Sequence, residues 1–204
     1  MSVVTIIICC RIGECMNDQR DTKQLLMQKS QELFQKKDFD KISVDEICRE
    51  TGVTKGAFYH YFTSKYDIPV QQYRMIQNEF YVDYENNSRL PVTDRLKLAI
   101  MWYSNYCNEG TLNIFTNYHK VMINYNKNRI LRRIEIESRV FEELLNIGVA
   151  EKVFKSSIKI DFQCEMITRF ISSLLFDWVI FKGGVDLKNE LEYLYNNIIH
   201  TIQI

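Results

Sequence analysis

The chain has 204 residues, of which 46% are hydrophobic, and its 26 basic side chains balance 26 acidic ones. This length and hydrophobic content suffice for one or two folded domains and exclude a disordered chain. The charge balance excludes a protein that coats nucleic acid by bulk charge, but it leaves room for a local basic patch.

Residues that break helices are scarce, with two prolines and seven glycines in the whole chain. Such a composition favours long helices and predicts an all-α fold. The apolar run near the N-terminus, residues 6–10, is far shorter than the roughly 20 residues that span a bilayer. Arg11 follows this run instead of preceding it, unlike the basic residue of a signal peptide. We therefore expect a cytoplasmic protein without a membrane partner.

Residues 1–16 form an N-terminal extension of uncertain status. Its segment "SVVTIIICC" has the composition of a β-strand, and a lone strand has no pairing partner in a helical chain. One hypothesis from this mismatch is that translation begins at Met16.

The six cysteines show no Cys-x-x-Cys pair and no histidine at metal-ligand spacing. We therefore expect reduced structural thiols, with no metal and no other cofactor. A thiol sensor that uses Cys107 or Cys164 is kept as an alternative. The cysteines are Cys9, Cys10, Cys15, Cys48, Cys107 and Cys164.

The first predicted helix begins at a cap provided by Asp21 or Thr22 and runs to about Lys37. Its apolar residues recur at helical spacing and predict one buried face. They are Leu25, Leu26, Leu33 and Phe34.

Two short helices follow. Ser43 and Glu46 form an S-x-x-E capping box that begins a second helix, and Gly52 supplies its C-terminal turn. Thr54 can cap a third helix directly after this turn. The pair has the dimensions of a helix-turn-helix.

A fourth, longer helix is predicted from Ser64, with Asp67 at the favourable third position of its first turn. Pro69 predicts a kink near the start of this helix, because a proline inside a helix removes a backbone hydrogen bond. Beyond Pro91, Thr93 and Asp186 are predicted caps. The remaining predicted helices cover residues 93–107, 111–126, 129–147, 161–182 and 187–203.

The third predicted helix contains the sequence "TKGAFYHYF". Phe58 and Phe62 stand four residues apart on a face that can pack, and Lys55 and Tyr59 stand four apart on a face that can be presented. Gly56 permits close approach of a phosphate or base edge, and Lys55 can reach a guanine edge in the major groove. The alternative is a small helical subdomain whose aromatic residues are all core.

The segment "FDKISVDEICRETGVTKGAFYHYFTSKYDI" resembles the DNA-binding domain of TetR/AcrR transcriptional regulators, over about residues 20–70. The resemblance implies a three-helix helix-turn-helix domain at residues 17–66, followed by a helical effector-binding and dimerisation domain at residues 67–204. It also implies operator contacts by Ser43, Thr54, Lys55, Gly56, Tyr59, His60, Tyr61 and Lys65, with Ala57 placed to touch a base or a thymine methyl.

By the same resemblance, the last two helices pair with a second subunit as a four-helix bundle. The segment "FISSLLFDWVIF" supports this prediction, because it is apolar nearly all round and needs cover on more than one side. Aromatic residues of the second domain are candidates to line a pocket for a small, largely apolar effector, although aromatic residues at helical spacing are also common in cores. They are Trp102, Tyr103, Tyr106, Phe115, Tyr118, Tyr125, Phe141, Phe170 and Trp178.

The sequence contains no phosphate-binding glycine loop and no clustered His/Cys/Asp set, so we do not expect an enzyme. It predicts a homodimeric, ligand-responsive transcriptional regulator, a repressor that an effector releases from double-stranded operator DNA. The alternatives are a protein-partner adaptor or co-activator on the same fold, and the thiol-based redox sensor.

Overall fold

The computed structural model describes residues 18–125 and 135–204, and its regular elements are helices. This confirms the predicted all-α fold, while the N-terminal extension with Met16 and residues 129–134 of one predicted helix lie outside the described residues. The helices are α1 (Asp18–Lys36), α2 (Val44–Thr51), α3 (Lys55–Tyr61), α4 (Asp67–Asn86), α5 (Val92–Tyr106), α6 (Glu109–Tyr125), α7 (Glu135–Ala150), α8 (Ile160–Ile180) and α9 (Leu187–Ile202), with a 3₁₀ turn at Phe39–Lys41.

The chain divides into two compact units. The first contains residues 18–73 and Asn113–Val121, and the second contains Arg74–Leu112 and the described residues after Val121. Helices α4 and α6 therefore contribute residues to both units. The predicted boundary after residue 66 coincides with the start of α4, but the packing adds residues 67–73 and 113–121 to the first unit.

Helix α1 is already formed at Asp18, the first described residue, so neither Asp21 nor Thr22 caps it. Leu26 is buried with Leu33 and Phe34, whereas Leu25 is 39% exposed at the edge of the apolar face. Helix α1 packs on α2, and α2 packs on α3.

The middle of α6 completes the first unit. The amide of Asn113 donates to the carbonyl oxygen of Phe34 at 2.7 Å, which satisfies a carbonyl in the last turn of α1. Lys120 Nζ lies 3.3 Å from Asp38 Oδ1. The ring of Tyr118 stacks on that of Tyr73, with centroids 4.0 Å apart. These contacts explain why residues 113–121 belong with α1 to α3.

Helix α4 begins at Asp67, later than the predicted cap at Ser64. The Asp67 carboxylate instead accepts hydrogen bonds from the backbone N–H of Thr63, at 2.7 Å, and from its hydroxyl. Pro69 is the third residue of the helix. A first-turn N–H has no partner within the helix in any case, so this proline removes no helical hydrogen bond. The predicted kink has no cause at this position.

In the second unit, α5 packs against α7 and α9, and α8 packs against α7 and α9. Helix α5 starts after Pro91, so Thr93 lies inside its first turn and does not cap it. The predicted cap of α9 is confirmed, because Asp186 Oδ1 accepts the N–H of Asn189 at 3.1 Å.

A close approach follows α7. A Cβ on Gly148 would lie 2.0 Å from the ring of Phe154, so only glycine fits at this point of the helix. The buried Phe154 ring thereby packs directly against the helix backbone. The backbone N–H of Lys155 donates to the carbonyl oxygen of Ile202 at 2.8 Å, which joins this segment to the end of α9.

No helix among the described residues is long and apolar enough to cross a membrane.

Candidate nucleic-acid interface and ligand groove

Three local signals build the helix-turn-helix. Ser43 Oγ accepts the N–H of Glu46 at 3.1 Å and caps α2, which ends at Gly52 with a left-handed φ of 70°. Thr54 Oγ1 accepts the N–H of Ala57 at 3.2 Å and caps α3. All three features were predicted, and together they set where α3 begins and which face it presents.

Helix α3 divides into a packed face and a presented face, as predicted. Phe58 is fully buried and Phe62 nearly so. Tyr59 is 55% exposed, and Lys55 and His60 are exposed beside it. The helix therefore offers a cation, a phenol and an imidazole to a partner, while the two phenylalanines hold it on the unit.

The other predicted contact residues lie around this face. Ser43, Thr54 and Gly56 are exposed, and Ala57 and Tyr61 are half-buried. A Cβ on Gly56 would meet only Thr54 Oγ1, at 3.9 Å, so packing within the protein does not require glycine there. Closer approach by a partner is the physical advantage that remains.

Lys55 forms an ion pair that the sequence does not predict. Its Nζ lies 2.5 Å from Asp45 Oδ1, and both side chains are more than half exposed. The hydrogen bond with Asp45 raises the pKa of Lys55 above its usual value. A carboxylate therefore stands beside the cation that is the predicted base contact. The ten-residue separation of the pair follows no helical period, so only the fold brings the two residues together.

Glu46, next to Asp45, is also paired. It contacts Lys37 Nζ and lies 4.0 Å from Arg49 Nη2. The hydrogen bond from Lys37 lowers the pKa of Glu46. The acids at the start of α2 therefore neutralise nearby cations, so the site presents specific donors instead of a broad positive patch.

Lys65 has contacts of another kind. Its Nζ donates to the carbonyl oxygens of Phe39, Asp40 and Ile42 at 3.0, 2.9 and 2.8 Å. It also lies 5.0 Å from the centroid of the Phe39 ring. Burial lowers the pKa of Lys65, and Asp40 opposes this effect. An ammonium group has three N–H donors, and these carbonyls occupy them. The geometry favours a role in joining the 3₁₀ turn to the segment after α3, and the operator contact of Lys65 stays a prediction.

A groove of about 310 Å³ lies between α4 and α5 in the second unit. Its walls combine aromatic rings with a guanidinium, a carboxylate and two amides. The lining residues are Phe80, Asp83, Tyr84, Asn87, Arg95, Leu98, Ala99, Trp102, Asn105 and Tyr106. On each helix they recur mostly at intervals of three and four residues and so share one face. Two neighbouring helices with such faces are the sequence pattern that could have predicted this groove.

The predicted effector-lining residues separate into several environments. Trp102 and Tyr106 line the groove. Tyr103, Phe141 and Trp178 are buried in the core of the second unit, and Phe115 and Tyr118 are buried in the first unit. Phe170 is exposed on α8, and the side chain of Tyr125 lies outside the described residues.

Large apolar side chains are exposed along α8. Phe162, Met166, Phe176 and Ile180 are between 37% and 58% exposed. Spacings of four, ten and four residues place them near one stripe of a helix with about 3.6 residues per turn, which is the pattern of a helix that packs against another helix. This α8 stripe is the candidate subunit interface.

The described cysteines are poor candidates for thiol sensing. Burial raises the pKa of Cys107 to about 12 and also raises the pKa of Cys48 and Cys164. The thiolate is the reactive form of cysteine, and it is scarce at neutral pH for such thiols. The redox alternative therefore has no support from these three residues.

The helix-turn-helix segment matches a known family. Residues 26–69 fit the profile described as "Bacterial regulatory proteins, tetR family". The Transposon Tn10 TetC protein of Escherichia coli is 30% identical over 113 residues, which cover 54% of this chain and 49% of that protein. The match thus spans about half the length of this curated relative.

Solved structures share the fold over most of the chain. A transcriptional regulator (TerR/AcrR family) from Aquifex aeolicus VF5 is 24% identical, with 87% of this chain and 97% of that chain covered and a TM-score of 0.59. FadR from Bacillus subtilis, in complex with stearoyl-CoA, is 17% identical, with coverages of 86% and 97% and a TM-score of 0.72.

An N-terminal helix-turn-helix followed by a larger helical unit defines the class of helix-turn-helix transcriptional regulators. At residues 26–69 the chain carries a domain that matches the TetR family of bacterial regulatory proteins.

Proposed function

We propose that the protein is a homodimeric, cytoplasmic repressor that reads operator DNA with α3 of each subunit and leaves it when a small effector binds. The observation that carries this proposal is the presented face of α3. Lys55, Tyr59 and His60 are exposed on it, inside the segment that matches the family profile, while Phe58 and Phe62 hold the opposite face in the core.

Each group on α3 has a chemical role in this proposal. The Lys55 ammonium donates to a guanine edge in the major groove, and the polar tips of Tyr59 and His60 contact phosphates. The N–H groups at the Thr54-capped start of α3 favour phosphate oxygens. Gly56 lets the backbone approach the duplex.

Asp45 makes this reading selective. In the free protein, Asp45 forms an ion pair with Lys55. On operator DNA, Lys55 exchanges this partner for a base edge, and the exposed Asp45 carboxylate then faces a phosphate-rich surface. A well-placed guanine offsets this repulsion, whereas unrelated sequences do not. We expect Asp45→Asn to strengthen binding to unrelated DNA more than binding to operator.

A dimer is needed because two recognition helices must read successive major grooves, about 34 to 36 Å apart. The exposed α8 stripe provides an apolar surface for the second subunit. The helical second unit also provides a groove for an effector, and the Bacillus subtilis FadR structure, which holds stearoyl-CoA, illustrates that this fold accommodates ligands.

Genomic pull-down with the purified protein tests this proposal. Sequencing of the bound fragments should give discrete palindromic sites. On the best site, Lys55→Ala should weaken binding by about 1 to 3 kcal/mol and relax base preference. Lys188→Ala, which removes an exposed lysine of the second unit, should bind like wild type.

Two results would contradict the proposal. A pull-down without enriched sites would favour the adaptor alternative, in which the fold binds a protein partner. If Lys55→Ala binds discrete sites with unchanged affinity and specificity, Lys55 on α3 does not determine which DNA sequence is bound.

A further inference from the structure

The groove between α4 and α5 contains a guanidinium without an acidic partner. Arg95 is half-buried in the groove wall, and no carboxylate of the described residues forms an ion pair with it. Its Nη2 donates to the hydroxyl of Tyr84 at 2.6 Å, and its Cζ lies 4.9 Å from the Tyr84 ring centroid. Its Nε–H is buried and has no acceptor in the described part of the chain. A partly buried cation in this state favours an anionic ligand.

The other charged residue that lines the groove, Asp83, already forms a hydrogen bond within the wall. Asp83 Oδ2 accepts the indole N–H of Trp102 at 2.9 Å. The Asn87 amide donates to the backbone carbonyl of Asp83 at 2.7 Å. The carboxylate thus orients a ring in the wall. Glu143 accepts a hydrogen bond from the Tyr84 hydroxyl, which itself accepts one from Arg95. Glu143 therefore reaches Arg95 only through Tyr84, which leaves the guanidinium available for direct contact with an anionic group.

Aromatic rings form the rest of the wall. Trp102 and Tyr106 are stacked, with centroids 4.6 Å apart and planes at 17°. The Phe80 ring meets Trp102 edge to face, with centroids 5.5 Å apart. Rings held in this way are suited to contact a flat ligand by offset stacking or by their edges.

We propose that the groove binds a planar aromatic compound with one anionic head, the head on Arg95 and the ring against Trp102 and Tyr106. A volume of about 310 Å³ suits one or two fused rings. This departs from the largely apolar effector expected from sequence, because Arg95 selects for charge. The inference rests on the proposed function only for its consequence, that binding alters operator affinity.

Isothermal titration calorimetry with matched acids and amides tests the inference. The probes are benzoate and benzamide, 2-naphthoate and 2-naphthamide, and indole-3-acetate and indole-3-acetamide. At least one acid should bind about 10- to 100-fold more tightly than its amide, because a charge-assisted hydrogen bond is replaced by a neutral one. Arg95→Gln should remove this preference for the acid.

Lys97→Gln is the matched control. Lys97 lies on the same helix and is also a cation near an aromatic ring, but it pairs with Glu192 at 3.8 Å and does not line the groove. This variant should retain the acid preference. Arg95→Lys keeps the charge without the planar donor set and should give an intermediate preference. It also provides a test if Arg95→Gln does not fold.

The outcomes separate this inference from the proposed function. If no acid binds more tightly than its amide, or if Arg95→Gln and Arg95→Lys both keep the full preference, the inference is overturned even if other compounds release operator DNA. If an acid binds through Arg95 but operator affinity stays constant, the inference stands and the ligand-controlled repressor fails.

Discussion

Replacing Lys65 with alanine removes the ammonium group that joins the 3₁₀ turn to the segment after α3. Three carbonyl oxygens, those of Phe39, Asp40 and Ile42, lose their donor at distances of 2.8 to 3.0 Å. The ammonium group is also lost from its position over the Phe39 ring, 5.0 Å from the ring centroid. The change therefore acts on the free protein, before any DNA is present.

The size of the effect follows from these contacts. Hydrogen bonds to charged groups contribute about 1.5 to 3 kcal/mol each when they are well shielded. Lys65 is only half-buried and Asp40 is exposed, so water replaces part of what is lost. We expect the free energy of unfolding to fall by about 1 to 2 kcal/mol in total, which lowers Tm by roughly 2 to 8 °C for a chain of this size.

Urea denaturation followed by circular dichroism measures this change. Lys41→Ala is the control, because it removes an exposed lysine from the same turn and should change stability by less than about 0.5 kcal/mol. Lys65→Met keeps a long unbranched side chain and isolates the loss of the ammonium group. If Lys65→Ala is as stable as Lys41→Ala but its operator binding loses about one unit of salt slope, Lys65 acts on phosphate and the structural assignment is refuted.

Three further experiments test other parts of the structure. Gly148→Ala should lower the free energy of unfolding in urea denaturation by about 1 to 3 kcal/mol, because its methyl group overlaps the Phe154 ring. Gly56→Ala should be at least as stable as wild type but should bind operator more weakly. Equal effects of the two substitutions on stability would contradict these assignments. Phe176→Asp places a charge in the α8 stripe and should give monomers in sedimentation velocity. If this variant is still a dimer, the subunit interface lies elsewhere on the protein. Iodoacetamide at pH 7.5 should modify Cys107 at least about tenfold more slowly than an exposed thiol, because burial raises its pKa to about 12 and leaves little reactive thiolate. Peptide mapping by mass spectrometry measures this rate, and labelling as fast as that of an exposed thiol would support the redox alternative.

Local signals in the sequence predicted the helix-turn-helix well. The caps at Ser43 and Thr54 and the turn at Gly52 each depend on side chains or φ angles within three residues. The two faces of α3 follow from helical spacing alone. For the same reason the misplaced starts of α4 and α5 are errors of a few residues, because several polar residues near a helix start can serve as its cap.

Contacts between distant residues were not accessible from the sequence. Nothing in the pattern pairs Asp45 with Lys55, and Lys65 was assigned by resemblance to an interface although its donors reach carbonyls more than twenty residues away. The aromatic residues were ambiguous because helical spacing does not distinguish a groove from a core. A single arginine has no motif, so the sequence does not indicate Arg95, and only the packing reveals that its Nε–H has no acceptor among the described residues.

The contribution of α6 to the first unit has a consequence for synthesis of the protein. The unit that carries α3 is interrupted in sequence, since Asn113 and Lys120 complete the packing around α1 and the 3₁₀ turn. Domains generally fold as the chain leaves the ribosome, but this one lacks part of its core until residue 121 has emerged. The nascent α3 is therefore held only by a partial core while about forty intervening residues are made. A fragment that stops at Tyr73 would preserve that unfinished state.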